Sequence, residues 1–244
     1  AAEFCQANPE RLKGIAVINI DDVQQGVDEI ERCAKLGFTG ATIPEYMAAE
    51  TYRSASYESL WACAQNLNMP LTFHISTARV KPGRGWDRDL RDPFDFANLL
   101  LHNADFWVRV SLTEVILSGV FDRYPDLMVG VAEHELNWVP YWLERLDYSY
   151  NERAAGREGY RLRGDTLPSD VFRKNCFVDF QEDVLGIKNR DIIGVENILW
   201  GSDYPHVEGT WPKSLQFIET TLSECTEEEK AMIVGGNVAR IYGV

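Results

Sequence analysis

The stretch NILWGSDYPHVEGTWP, residues 197–212, carries an apolar run at Ile198–Trp200 and then stops at Ser202, Asp203 and His206, with Pro205 and Pro212 close behind. Aspartate is depleted in strands and is seldom fully buried without a partner. A carboxylate at such a strand end calls for a counter-charge, a hydrogen-bond donor or a metal. Upstream lie five more short runs of the same kind: GIAVINI (14–20), FTGATIP (38–44), PLTFHIS (70–76), LMVGVAE (127–133) and CFVDF (176–180), with ENILWGSD (196–203) as the sixth. Helical patterns separate them. DDVQQGVDEIERCAKLG has an Asp cap and apolar residues at helical spacing, and YESLWACAQNLN (57–68) follows the same rule. A long helical region is expected from Pro93 to Tyr124, one helix over LNWVPYWLERLDYSYNERAA, another over QEDVLGIKNRDIIG, and two more at the end of the chain.

Nearly unbroken apolar strands alternating with helices indicate a parallel sheet covered by helices. A doubly wound sheet that binds dinucleotides carries a Gly-rich turn after its first strand, and here that strand runs into NIDDVQQG instead. A TIM-like (β/α)8 barrel places catalytic side chains at the C-terminal ends of several strands, which fits the histidines and Asp203. The expected fold is therefore an α/β barrel, with six of its eight strands readable, over a single domain spanning 1–244.

Composition narrows the partners. With 38 acidic against 24 basic residues and a net charge of −14, the global field repels phosphate backbones and anionic lipid, so nucleic acid is not an expected ligand. No apolar stretch approaches the roughly 20 residues of a membrane helix. The one locally basic stretch, ARVKPGRGWDRDLR (78–91), reads as a loop, either meeting an anionic substrate or solvated with its own Asp partners. Five widely spaced cysteines without a C-x-x-C pair suit a reducing cytoplasm.

Three of the four histidines stand at or just past strand ends. His74 closes PLTFH, His134 follows MVGVAE, and His206 lies three residues past Asp203, whereas His102 falls inside the expected helix. Each alone is more simply a hydrogen-bonded core or rim residue. In a parallel sheet the strand ends share one edge, so His74, His134 and Asp203 are placed to converge, and imidazole with carboxylate suits a divalent metal such as zinc.

These residues resemble the amidohydrolase-related proteins of the aminocarboxymuconate-semialdehyde decarboxylase type. The resemblance runs through PERLKGIAVI, PLTFHIS, GVFDRYPDLMVGVAEHELNWVPYWLERLD (119–147), ILWGSDYPHVEGTWP and GGNVARIYG. It implies a metal-dependent barrel enzyme, with His74 and Asp203 as metal ligands, His134 as catalytic residue and Asp203 also taking a proton from metal-bound water. The adjacent Glu133 shares or takes over the role of His134, because the Gly-rich sequence expected after that histidine reads Glu135-Leu136-Asn137. His206 contacts substrate or orients Asp203. Zinc is the implied metal, manganese the other candidate, and the substrate is a small carboxylated organic molecule that is either hydrolysed or decarboxylated. The family's opening strand with its His-x-His metal pair has no counterpart here. The expectation is a barrel incomplete at its N-terminus: either the missing piece exists elsewhere, or the uncovered edges are managed by association into a homo-oligomer. A truncated, non-catalytic relative serving binding or assembly is the competing class.

Two further patterns have plain structural readings. Trp138, Tyr141 and Trp142 recur at helical spacing, as a stripe packed on the barrel does, and Arg145 is placed for an ion pair with Asp147 or a neighbour, with a bound carboxylate as the alternative. Glu182 and Asp183 either enter the site or open a helix.

Overall fold

β-branched and aromatic side chains pack well on a pleated surface, and all six apolar runs form strands. The computed structural model describes residues 1–79, 103–153 and 160–244. The strands are β1 (Ile15–Val17), β2 (Gly40–Pro44), β3 (Leu71–His74), β4 (Val129–Ala132), β5 (Cys176–Phe180) and β6 (Ile198–Trp200). They lie in the order β1-β2-β3-β4-β5-β6, every pair parallel. Helices follow each strand in turn, as parallel crossovers require. The result is six strands of a (β/α)8-type barrel, with β1 and β6 as open edges among the described residues.

In-register residues of neighbouring strands point to the same side, so the pairing sorts the side chains into two faces. Ala16, Ala41, Ile43, Leu71, Phe73, Val129, Val131, Cys176, Val178 and Ile198 form the outer face and are buried under the helices. The helix Val23–Lys35 shows why: Asp22 caps it by accepting the Gln25 N–H at 3.0 Å, and Val27, Ile30 and Cys33 bury one stripe. Between the outer face of β3 and the helix Glu58–Asn66 sits an aromatic group of Tyr52, Tyr57, Trp61 and Phe73.

The inner face carries Thr42, Thr72, His74, Gly130, Phe177, Asp179 and Leu199. Its N-terminal half is filled by Phe177, Leu199 and Ile241 with Tyr242, whose hydroxyl lies 3.2 Å from Thr72 Oγ1. Gly130 is obligatory there, because a Cβ would stand 2.0 Å from the Phe177 ring. The C-terminal half is left to polar side chains. On β1, Ile15 and Val17 belong to this inner face, and Val17 is 83% exposed.

Several expected elements are subdivided. The helix expected over Pro93–Tyr124 is described only from Asp105, ends at Leu117, and restarts as Val120–Arg123 because Gly119 takes φ 73° between them. QEDVLGIKNRDIIG forms two short helices, Val184–Lys188 and Arg190–Ile193, separated at Asn189. Trp138 and Trp142 pack together as the stripe predicts, but Tyr141 is exposed, since the helix Trp138–Glu152 turns it outward. Arg145 stacks over the Tyr148 ring at 4.9 Å rather than pairing with Asp147, which accepts the Ser169 N–H. His102 and most of the basic stretch 78–91 lie outside the described residues; at its base Arg79 bridges alongside Met47.

Asp183 proves to be a helix cap. Its Oδ1 accepts the Gly186 N–H at 2.7 Å, while its Oδ2 accepts the N–H groups of Leu136 and Asn137 at 2.9 and 2.7 Å. It thereby ties the segment after β4 to the segment after β5. Asp183→Ala strands these donors and is expected to lower unfolding free energy by about 2 kcal/mol in a urea titration; a change within a few tenths would contradict the tie.

Candidate metal centre

Three strand ends supply the site, and each bends sharply where it does so. Past β3, Ser76 has φ 63°; past β4, Glu133 has φ 65°; past β6, Asp203 has φ 52°. Non-glycine residues in this region cost about 1–3 kcal/mol each and persist where the surroundings hold them, commonly at functional sites. The turn at Asp203 is held by its carbonyl accepting the His206 N–H at 2.8 Å and by Ser202 O accepting the Thr210 N–H at 2.9 Å. Ser202 thus closes a loop. The turn at Glu133 is held by Asp179, whose Oδ1 accepts the Glu133 N–H at 2.7 Å.

These bends bring Glu133, Asp203 and His206 together, with one ligand atom of each inside a mutual distance of 4.8 Å. His206 Nδ1 lies 2.8 Å from Asp203 Oδ2, and His74 Nε2 lies 3.2 Å from Glu133 Oε2. His74, Glu133, Asp203 and His206, all singled out in the sequence, therefore face one mouth. Burial raises the Glu133 carboxyl above its ordinary range; His74 opposes that rise and Asp203 adds to it.

The donor set fits a divalent cation. His74 Nδ1 sits 3.0 Å from the Ile75 carbonyl, which is placed to accept an N–H there and leaves Nε2 turned toward Glu133. Nε2 faces a carboxylate oxygen of Glu133 across 3.2 Å, a spacing satisfied by a proton on the imidazole or by a cation bound to both groups. Metal-binding histidines commonly donate their second ring N–H to a backbone carbonyl in this way. Carboxylates with imidazole suit zinc or manganese.

His134 is placed elsewhere. Period-two alternation from Gly130 through Ala132 carries residue 134 to the inner face, but the left-handed turn at Glu133 breaks the alternation. Glu133 takes the inner position and His134 is buried, its Nε2 3.4 Å from Glu45 Oε2. Burial, with a smaller contribution from His74, lowers His134 to about 3. Burial lifts Glu45 to about 7, against the N–H groups of Ala78, Thr77 and Ser76. A carboxyl raised on folding adds stability below its unfolded value of 4.5, and that stability is lost as pH climbs through 7. Glu45→Gln is therefore expected to match the wild type at about pH 3.5 and to exceed it at pH 8 by on the order of 3 kcal/mol, read from denaturant midpoints at both pH values. A pH-independent difference would contradict the burial argument.

Asp179 is the site residue the sequence reading passed over. The signal was present: a lone Asp on the inner face of CFVDF, one residue from the strand end. Burial raises it to about 6.

Fold and mouth together define a barrel protein that gathers its acids and imidazoles at the C-terminal ends of its strands. The amidohydrolase family model matches residues 1–244, and the chain belongs to that family. It is 26% identical over 259 residues to the gamma-resorcylate decarboxylase of Polaromonas sp. strain JS666, a match covering 99% of this chain and 73% of that protein. The crystal structure of 5-carboxyvanillate decarboxylase from Sphingomonas paucimobilis superposes with a TM-score of 0.82 at 27% identity, covering 100% of this chain and 70% of the other. A dihydroxybenzoic acid decarboxylase from Polaromonas sp. JS666, with bound manganese and the inhibitor 2-nitroresorcinol, shares the fold at a TM-score of 0.78 and 24% identity, covering 99% and 72%. Among the described residues no helix is long and apolar enough to cross a membrane.

Proposed function

We propose that this chain is a metal-dependent decarboxylase of small carboxylated aromatic compounds, with His74, Glu133 and Asp203 holding a divalent cation, manganese or zinc. The observation that carries this reading is His74 Nε2 facing Glu133 Oε2 at 3.2 Å, beside the cluster of Glu133, Asp203 and His206. The relatives named as gamma-resorcylate and 5-carboxyvanillate decarboxylases support the reaction class, and the manganese in the dihydroxybenzoic acid decarboxylase supports the choice of metal.

When bound, the cation supplies a Lewis acid for the anionic oxygens of the substrate. The chain's own groups do the rest. Asp203 orients the His206 imidazole through the 2.8 Å contact at Nδ1, and His206 holds the proton that the ring carbon receives as CO2 leaves. The electron pair of the broken C–C bond remains on that carbon, and the proton satisfies it. The proton-delivering role expected of His134 thus passes to His206, and His134 with Glu45 forms the support beneath the mouth. Reducing cytoplasm and a homo-oligomer complete the proposal, supported by five free cysteines and by the exposed inner face of β1.

The test is incubation of the manganese-loaded protein with 2,6-dihydroxybenzoate and with 5-carboxyvanillate, followed by CO2 release. CO2 matching substrate loss supports decarboxylation. Hydrolysis of an ester or amide panel without CO2 overturns the reaction, and no stoichiometric metal after reconstitution favours the non-catalytic class.

A further inference from the structure

Glu133 reaches the mouth only because its backbone is left-handed, and nothing in its own local sequence favours that conformation. No glycine or asparagine stands there, and the next left-handed residue, Glu135 at φ 54°, follows after one position. Two such residues within three need outside support. It comes from β5 and the segment after it: Asp179 takes the Glu133 N–H, Gln181 N–H reaches Glu135 Oε1 at 3.4 Å, and Asp183 takes the N–H groups of Leu136 and Asn137. Only the first of these bonds acts on the residue that faces His74. At 2.7 Å, from amide to carboxylate, it belongs to the stronger class of hydrogen bonds.

We infer that Asp179 is the positioning residue of the metal centre: by accepting the Glu133 N–H it locks Glu133 in the left-handed turn that aims its carboxylate at His74 and Asp203. The inference rests on the metal reading above for its consequence, but not for its geometry. Asp179 itself need not touch the cation. Its position on the inner face, between β4 and β6, lets it hold one strand end while leaving the mouth free.

Asparagine and alanine separate position from charge, because the Oδ1 of asparagine accepts the same N–H and the methyl of alanine does not. Manganese affinity, measured by electron paramagnetic resonance on the intact protein, is expected to stay within about threefold of wild type in Asp179→Asn. In Asp179→Ala it is expected to fall by about 10–100-fold, the usual cost of losing a supporting hydrogen bond behind a metal ligand. Hydrogen exchange of the Glu133 amide gives a readout that needs no metal. It is expected to be slow in wild type and in Asp179→Asn and fast in Asp179→Ala. Equal exchange in all three proteins overturns the inference, as does an equal loss of manganese affinity in both variants, which would make charge the cause. Absence of manganese binding in the wild type, with the exchange pattern as stated, overturns the metal reading and leaves the positioning role standing.

Discussion

Asp203→Ala is expected to abolish stoichiometric manganese and to lower decarboxylation by at least about 10³-fold, equivalent to about 4 kcal/mol of transition-state stabilisation. The size follows from two losses at one residue. The site loses one of the two carboxylates of its cluster, and the Glu133 carboxyl that remains is still raised by burial, so the negative charge left to hold a cation is small. His206 also loses the oxygen 2.8 Å from its Nδ1, and with it the contact that orients the ring. Asp203→Asn isolates the charge by keeping the shape. The His74→Ala protein is expected to lose metal alike while leaving the Asp203–His206 pair in place. Metal content by atomic absorption, with turnover on 2,6-dihydroxybenzoate, checks all three, and full manganese occupancy in Asp203→Ala would sink the assignment.

Much of this was open to reading in the sequence, for identifiable reasons. Parallel strands covered on both faces are nearly continuous apolar runs, so each of the six announced itself, and parallel pairing then fixes that their ends share one edge. That alone brings His74 and Asp203 toward each other. The exchange of Glu133 for His134 was less accessible, because it depends on a single positive φ that flips the side-chain alternation after Ala132. The sequence offers as hints the adjacency of the two residues and the Glu135-Leu136-Asn137 that stands where a Gly-rich stretch is expected. Asp179 was hidden for a related reason: an acid within an apolar strand gains its meaning from the N–H it accepts across to the next strand end, a relation of register rather than of sequence spacing.

Helix subdivision failed to show for a different cause. Amphipathic periodicity reports which face is buried and is insensitive to a one-residue interruption. Asn189 leaves Ile187 and Ile193 both buried while ending one helix and opening another, so QEDVLGIKNRDIIG reads as continuous. Near the chain end, Met232–Gly236 widens to a π-helical turn between Glu227–Ala231 and Asn237–Tyr242, yet Ile233 and Ile241 stay inside. Burial pattern and backbone path are separate messages, and only the first is written in hydrophobicity.

The second large effect is expected in the core beneath the mouth. Phe73 is fully buried on the outer face of β3, its ring 5.2 Å from that of Tyr52, which in turn lies 5.8 Å from Trp61. Tyr52 also donates its hydroxyl to the carbonyl of Pro44, the last residue of β2. The aromatic group therefore fastens the C-terminal ends of β2 and β3 from outside, directly behind Glu45 and His74. Phe73→Ala removes the ring from a close-packed site that cannot collapse, since β3 is held by β2 and β4 on either side. The expected cost is about 3–5 kcal/mol, a large share of the 5–15 kcal/mol typical of a domain. Phe73→Leu, which keeps most of the volume, is expected to recover more than half of it. Urea midpoints of the two variants measure the cost directly, and a Phe73→Ala protein within about 1 kcal/mol of wild type would show that β3 is positioned by the sheet alone, without the aromatic layer behind it.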